Sequence, residues 1–149
     1  RSFAENAVRK AKAVWEKVKL PVIADDSGLC VDALDGRPGI YSARYAGEGA
    51  TDADRVKKLL AELKGKKNRT GRFVCAIAYI DGTGETHVFE GVCEGTMAES
   101  PRGEDGFGYD PIFLVGEKTF AEMTAKEKDA VSHRGKANRL LEDYLKQEK

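Results

Sequence analysis

The sequence predicts an α/β domain in which helices flank a mixed β-sheet. Residues 3–18 and 51–63 carry apolar side chains at the spacing of amphipathic helices. Residues 72–80 form an apolar, strand-like run, and a turn at 81–84 joins it to a second run. Helices and a hairpin therefore intermix along the chain, which is typical of α/β layers. The 149 residues suit one domain, 1–149, with a substantial core.

The first helix is predicted between Phe3 and Val18. Ser2 is suited to the N-cap, and Glu5 follows three residues later, as in a capping box. The positions expected to face inward are Phe3, Ala7, Val8, Ala11, Val14, Trp15 and Val18.

The other elements are predicted from turn and cap signals. Thr51 can cap the second helix, and Thr124 with Glu127 forms a capping-box pattern. Ser132 is suited to cap a last helix, whose inward positions are Ala137, Leu140, Leu141, Tyr144 and Leu145. The predicted order includes strands at 22–24, 29–34, 72–80, 86–97 and 111–115, turns at 36–39 and 81–84, and loops at 40–49 and 99–109.

Composition excludes several classes of partner. Lys and Arg number 25, as do Asp and Glu, so zero net charge gives no global attraction to nucleic acid or to an anionic membrane. No apolar run approaches the ~20 residues of a membrane span, and the opening residues lack the pattern of a secretory leader. The three cysteines, Cys30, Cys75 and Cys93, lack metal-site spacing, so we expect buried free thiols and a cytoplasmic protein.

Two adjacent carboxylates, Asp25 and Asp26, follow the apolar run at 21–24, and Ser27 and Gly28 are expected to end the strand there. Adjacent negative charges are costly unless a cation or hydrogen bonds compensate them. Mg²⁺ prefers carboxylate oxygens and keeps waters and substrate phosphates as its other ligands. The pair therefore indicates a metal site, with a solvated turn as the alternative.

A glycine-rich segment at 103–113 indicates a ligand-binding loop. Gly106 and Gly108 flank Phe107, so the backbone can approach a ligand while one aromatic ring is presented. Tyr109 and Asp110 follow at once, which suits a base stacked on a ring beside a carboxylate. The alternative is a turn whose aromatic residues fill the core.

Basic residues gather in two places. Lys128, His133 and Arg134 lie where one predicted helix ends and the next begins, and their donors suit phosphate or carbonyl oxygens. A solvated basic face is the alternative there. The run at 64–72 is interpreted as solvated surface; a nucleic-acid-binding role for it is disfavoured because it lacks interleaved aromatic residues.

Four segments in this order resemble the inosine/xanthosine triphosphate pyrophosphatases, which remove deaminated purine nucleotides. They are Ala-Asp-Asp-Ser-Gly-Leu at 24–29, Arg-Pro-Gly-Ile-Tyr-Ser-Ala-Arg-Tyr at 37–45, Gly-Phe-Gly-Tyr-Asp-Pro-Ile-Phe at 106–113 and Ser-His-Arg-Gly at 132–135. The resemblance implies Mg²⁺-dependent hydrolysis of the triphosphate to monophosphate and pyrophosphate, two lobes with a cleft between them, and a homodimer. A pyrimidine-directed relative is the enzyme alternative, against which the segment at 132–135 argues.

The resemblance also implies roles for individual residues. Asp26 is similar to the general base and metal ligand, and Asp25 would help to form the metal shell. The implied substrate contacts are Ser27, Phe107, Gly108, Tyr109, Asp110, Lys128, His133 and Arg134, of which His133 and Arg134 would recognise the 6-oxo purine.

One departure from the family pattern concerns the start of the chain. The family's first strand, its phosphate-binding loop and an acidic segment have no counterpart here, so we expect an N-terminally truncated domain. A catalytically incompetent nucleotide-binding fragment is therefore the alternative function.

Overall fold

Helices cover both faces of a five-stranded antiparallel sheet in the computed structural model, which describes residues 2–147. The α/β fold class is confirmed. Within these residues every strand pairing is antiparallel, where a mixed sheet was predicted. The sheet order follows the chain order, β1 to β5. The elements are α1 (Phe3–Val18), β1 (Val22–Val31), α2 (Asp52–Leu63), β2 (Thr70–Ile80), β3 (Thr86–Met97), β4 (Phe113–Val115), β5 (Lys118–Thr119), α3 (Ala125–Val131) and α4 (His133–Gln147).

The apolar core lies at two ends of the long β2–β3 hairpin. Near the turn, α1 packs on one face of the sheet, against Ala76 and Ala78 of β2. Cys75 and Ile77 alternate with these alanines and face α4 on the other side. The larger core, at the far end, joins α2 to Phe73 and the segments around β4. The start of α4 is thereby fixed beside the middle of the sheet.

The two short strands predicted around the carboxylates are a single strand, β1. Pairing with β2 continues through the predicted break, with Ser27 opposite Cys75. Gly28 permits this because a Cβ there would lie 2.5 Å from the carbonyl oxygen of Gly39. The 3₁₀ turns at Asp32–Leu34 and Gly39–Arg44 follow, so the end of the second predicted strand is wrong.

Helix α1 has the predicted bounds, and Ser2 Oγ accepts the Glu5 N–H at 3.1 Å. Its buried row is Phe3, Ala7 and Ala11, and Trp15 continues that row onto Gly84 at the hairpin turn. The inward positions predicted at Val14 and Val18 are wrong: these side chains are 48% and 47% exposed. Both valines lie on the row of α1 next to the buried row, so they project past the edge of the helix–sheet contact into solvent.

The helical tail divides as predicted. Thr124 caps α3, and Ser132 Oγ accepts the Gly135 N–H at 3.0 Å at the start of α4. The prediction that Leu140 faces inward is wrong. The inward row of α4 runs through Ala137 and Leu141, and Leu140 is exposed to solvent. Tyr144 and Leu145 are half-buried.

The basic run at 64–72 is only partly solvated. Arg69 donates to the carbonyl oxygens of Met97 and Ala98, both at 2.9 Å. Arg72 pairs with Asp32 and Glu94. The interpretation of these two arginines as free surface charge is therefore wrong, because they connect loop ends and strands.

The three cysteines are free, as predicted, and burial raises the pKa of each thiol, to about 11 for Cys75. Within residues 2–147, no helix combines the length and apolar character needed to cross a bilayer.

Candidate active site

A cleft of about 450 Å³ lies between the middle of β1, the glycine-rich loop before β4 and the start of α4. The eight residues predicted to contact a substrate all line it: Ser27, Phe107, Gly108, Tyr109, Asp110, Lys128, His133 and Arg134. They come from four separate segments, which the register of the sheet and the packing of α4 bring together. Asp25 and Asp26 lie on β1 directly before Ser27.

His133 forms an apolar part of the cleft wall and carries one unused polar atom. Its ring stacks on Phe73 with centroids 4.7 Å apart, and its Nδ1 is buried without a hydrogen-bond partner among the described residues. Burial, reinforced by the charges of Arg134 and Lys128, lowers the pKa of His133 to about 4. The imidazole is therefore neutral near pH 7.

The lowered pKa of His133 predicts acid sensitivity. Between its ordinary pKa of 6.5 and the folded value of about 4, the unfolded chain binds a proton that the folded chain does not. Stability therefore falls as pH drops through this window, by roughly 2–3 kcal/mol between pH 7 and pH 4.5. Urea unfolding at both pH values measures the loss. His133→Phe, which keeps a ring on Phe73, should show a smaller loss; an equal loss would contradict this assignment.

The glycine-rich loop presents one aromatic ring and buries the other. Phe107 is 65% exposed, and Lys128 Nζ lies 4.7 Å from its ring centre. Tyr109 is buried, and its hydroxyl donates to the carbonyl oxygen of Ser42 at 2.7 Å. Of the two roles predicted for this loop, Phe107 therefore has the exposure that ligand binding needs, and Tyr109 fills the core.

Asp110 holds the loop in shape from inside. Its carboxylate accepts the Phe107 N–H at 3.0 Å and pairs with Lys128 at 2.5 Å. Gly106 has φ +85°, and a Cβ there would collide with the Asp110 carboxylate. A glycine is therefore required for the tight approach between the two ends of the loop.

The two adjacent carboxylates point to opposite faces of β1, as neighbours on a strand must. Asp25 faces α4 and pairs with Arg134 at 2.5 Å, and Arg134 also donates to Ser27 Oγ at 3.1 Å. Asp26 faces α1, where it accepts from Asn6 Nδ2 at 3.1 Å and pairs with Lys10 at 3.4 Å. The turn predicted at Ser27 gave no reason to expect the two carboxylates on opposite faces, which follows from the continuous strand.

Sequence reasoning missed Asn6 and Lys10 as site residues. They stand four residues apart, on the edge of the apolar row of α1. Lys10 also donates to the carbonyl oxygen of Asp25 at 2.9 Å. An amide and an ammonium on the flank of a helix that packs against the Asp-Asp strand were the available signal.

The carboxylate of Asp26 is the kind of ligand that a hard divalent ion prefers. Its two oxygens accept from Asn6 Nδ2 and Lys10 Nζ among the described residues, so a bound cation would share or replace these contacts. One carboxylate together with substrate phosphates is a usual way to bind Mg²⁺. The described part of the chain holds one group of three side chains whose ligand atoms all lie within 4.8 Å of one another: Asp81, Glu85 and His87, at the hairpin turn. These residues do not line the cleft.

Known proteins share both the sequence pattern and the fold of this chain. The Ham1 family matches residues 1–144. The chain is 55% identical over 146 residues to a dITP/XTP pyrophosphatase of Geobacillus kaustophilus, covering 95% of this chain and 72% of that protein. It is 54% identical to the Bacillus subtilis protein of the same name, covering 97% and 75%. The Staphylococcus aureus Ham1 structure superposes with a TM-score of 0.97 at 46% identity, covering 100% of this chain and 79% of that one. The chain belongs to the Ham1 family.

Proposed function

We propose that this protein hydrolyses deaminated purine nucleoside triphosphates, namely ITP, dITP and XTP, to the monophosphate and pyrophosphate. The observation that carries the proposal is a single cleft in which an exposed aromatic ring, a neutral buried histidine and an arginine converge next to β1, the strand that carries Asp26. The names of the relatives, dITP/XTP pyrophosphatase, support the same substrate class.

The cleft offers matched contacts for a 6-oxo purine. The exposed Phe107 ring provides a stacking surface, and Lys128 beneath it supplies positive charge. His133 and Arg134 offer N–H donors, which suit a 6-oxo acceptor and leave the 6-amino group of adenine poorly matched. Discrimination against adenine therefore comes from unpaired polar groups in the site.

Hydrolysis requires an oriented water, neutralised charge and an in-line phosphate. Asp26 is the proposed general base, which accepts a proton from the water that attacks the α-phosphorus. Lys10 beside it offers an ammonium to the phosphate chain. Mg²⁺, held by Asp26 and phosphate oxygens, would supply further charge neutralisation there.

Asp25 as a second metal ligand stays a prediction. Its carboxylate pairs with Arg134 on the opposite face of β1, so a role in the metal shell requires exchange of that partner. Homodimerisation and a cytoplasmic location rest on the sequence interpretation and the family resemblance.

Pyrophosphate release from ITP tests the proposal, with GTP and ATP as controls, each with and without Mg²⁺. We expect Mg²⁺-dependent release from ITP well above release from ATP and GTP. A folded sample that binds ITP without turnover would support the alternative, a nucleotide-binding fragment. The chain spans about three-quarters of the length of the Bacillus subtilis relative, so the same assay on that protein sets the reference rate.

A further inference from the structure

A second carboxylate, outside the recognised segments, ties the glycine-rich loop to α2. Asp52 Oδ2 accepts the Gly108 N–H at 3.0 Å, across 56 residues of sequence. Asp52 stands at the first position of α2 and lines the cleft together with Arg55. This hydrogen bond holds the loop from outside. The hydrogen bond from the Phe107 N–H to Asp110 holds it from within.

Arg55 fixes the orientation of this carboxylate. Its Nη2 donates to Asp52 Oδ1 at 2.7 Å. Its Nη1 donates to the carbonyl oxygens of Ala43 and Ala50, both at 3.0 Å. Asp52 is therefore held on one oxygen by an anchored guanidinium, and its other oxygen is left for the loop. The guanidinium and the Gly108 N–H together lower the pKa of Asp52, so it is ionised near pH 7.

The position of Phe107 depends on both ends of its loop. Phe107 is exposed and lies between Gly106 and Gly108, which both have positive φ. Glycines give a short loop backbone freedom that must be removed before a ring can stack reproducibly on a base. Asp110 holds the N–H of Phe107, and Asp52 holds the N–H of the next residue.

We propose that Asp52 is a positioning residue for nucleotide binding, which holds Gly108 so that the Phe107 ring faces the purine. The inference rests on the proposed function and adds a residue that acts through the loop. Its effect should be on affinity for the nucleotide, because the contact is the same before and during the chemical step.

Three variants test this role. Asp52→Ala should raise KM for ITP about tenfold with kcat within about twofold, the cost of a lost charge-assisted hydrogen bond. Asp52→Asn keeps an oxygen for the Gly108 N–H and should recover most of the KM. Asp54→Ala is the matched control: it removes a carboxylate from the same helical turn, where Asp54 accepts the Thr51 N–H, and leaves the loop contact in place.

Amide hydrogen exchange provides a readout that does not depend on activity. Exchange of the Gly108 amide, followed in the peptide spanning 104–110, should be faster in Asp52→Ala and unchanged in Asp54→Ala. An unchanged rate in Asp52→Ala would overturn the tether itself. A faster rate with unchanged KM would overturn its role in binding, as would an equal rise of KM in the Asp54→Ala control.

The two proposals fail separately. If the unsubstituted chain binds ITP without hydrolysing it, the proposed activity fails, and the dissociation constant from calorimetry replaces KM in the same three comparisons. If the unsubstituted chain does not bind ITP at all, both proposals are overturned.

Discussion

Asp26→Asn is expected to lower the turnover of ITP by about 10³-fold or more, which is the scale of losing a general base together with a metal-binding charge. The amide is isosteric, and Asp26 does not line the cleft, so ITP affinity should stay within about threefold of the unsubstituted value. Pyrophosphate release and calorimetric titration with ITP measure the two quantities.

The matched control for that experiment is Asp35→Asn. Asp35 is exposed and has φ +56°, a conformation that asparagine tolerates well, so this change removes one carboxylate without strain. It should leave both turnover and affinity unchanged. Near-normal turnover in Asp26→Asn would refute Asp26 as the general base.

Asp110→Ala is expected to cost about 3 kcal/mol of folding stability, because it leaves the Lys128 ammonium without its carboxylate partner in a confined site. The Asp110 side chain is 5% exposed and that of Lys128 is 22% exposed. The same change frees the Phe107 N–H, so ITP affinity should fall as well. Urea unfolding and calorimetric titration measure the two losses.

A double variant separates the two effects of Asp110. Asp110→Ala combined with Lys128→Met removes both charges and leaves an unbranched side chain against the Phe107 and Phe120 rings that Lys128 covers. Stability should recover most of the loss, since an uncharged pair avoids the desolvation cost. ITP affinity should not recover. Recovery of affinity with stability would show that the ion pair contributes only to folding.

Strong local signals located most of the elements from the sequence. The N-cap at Thr51, the capping box at Thr124 and the turn at 81–84 each fix a boundary by short-range hydrogen bonding, and the corresponding helices and hairpin lie where they were expected. The strand through Ser27 could not be located in this way. Its local turn chemistry is overridden by a ladder of ten paired residues with β2, which is a tertiary effect.

The same distinction between local signals and tertiary contacts applies to the candidate site. Most of the predicted substrate contacts that line the cleft stand in recognisable short segments, so their identity could be predicted from the sequence. Their partners could not: Asn6 and Lys10 approach Asp26 across a helix–strand contact, and Asp52 reaches Gly108 from another helix. The opposite orientation of Asp25 and Asp26 likewise follows only when the strand is known to be continuous.

Trp15 is the only tryptophan of the chain, and its place determines what optical spectroscopy can report. Its indole packs on Gly84 at the hairpin turn, with the Lys19 ammonium 4.2 Å from the ring centre, and it does not line the cleft. Intrinsic emission should therefore follow the separation of α1 from the hairpin during unfolding and remain silent when a nucleotide binds. Fluorescence assays of occupancy need a signal that originates in the nucleotide.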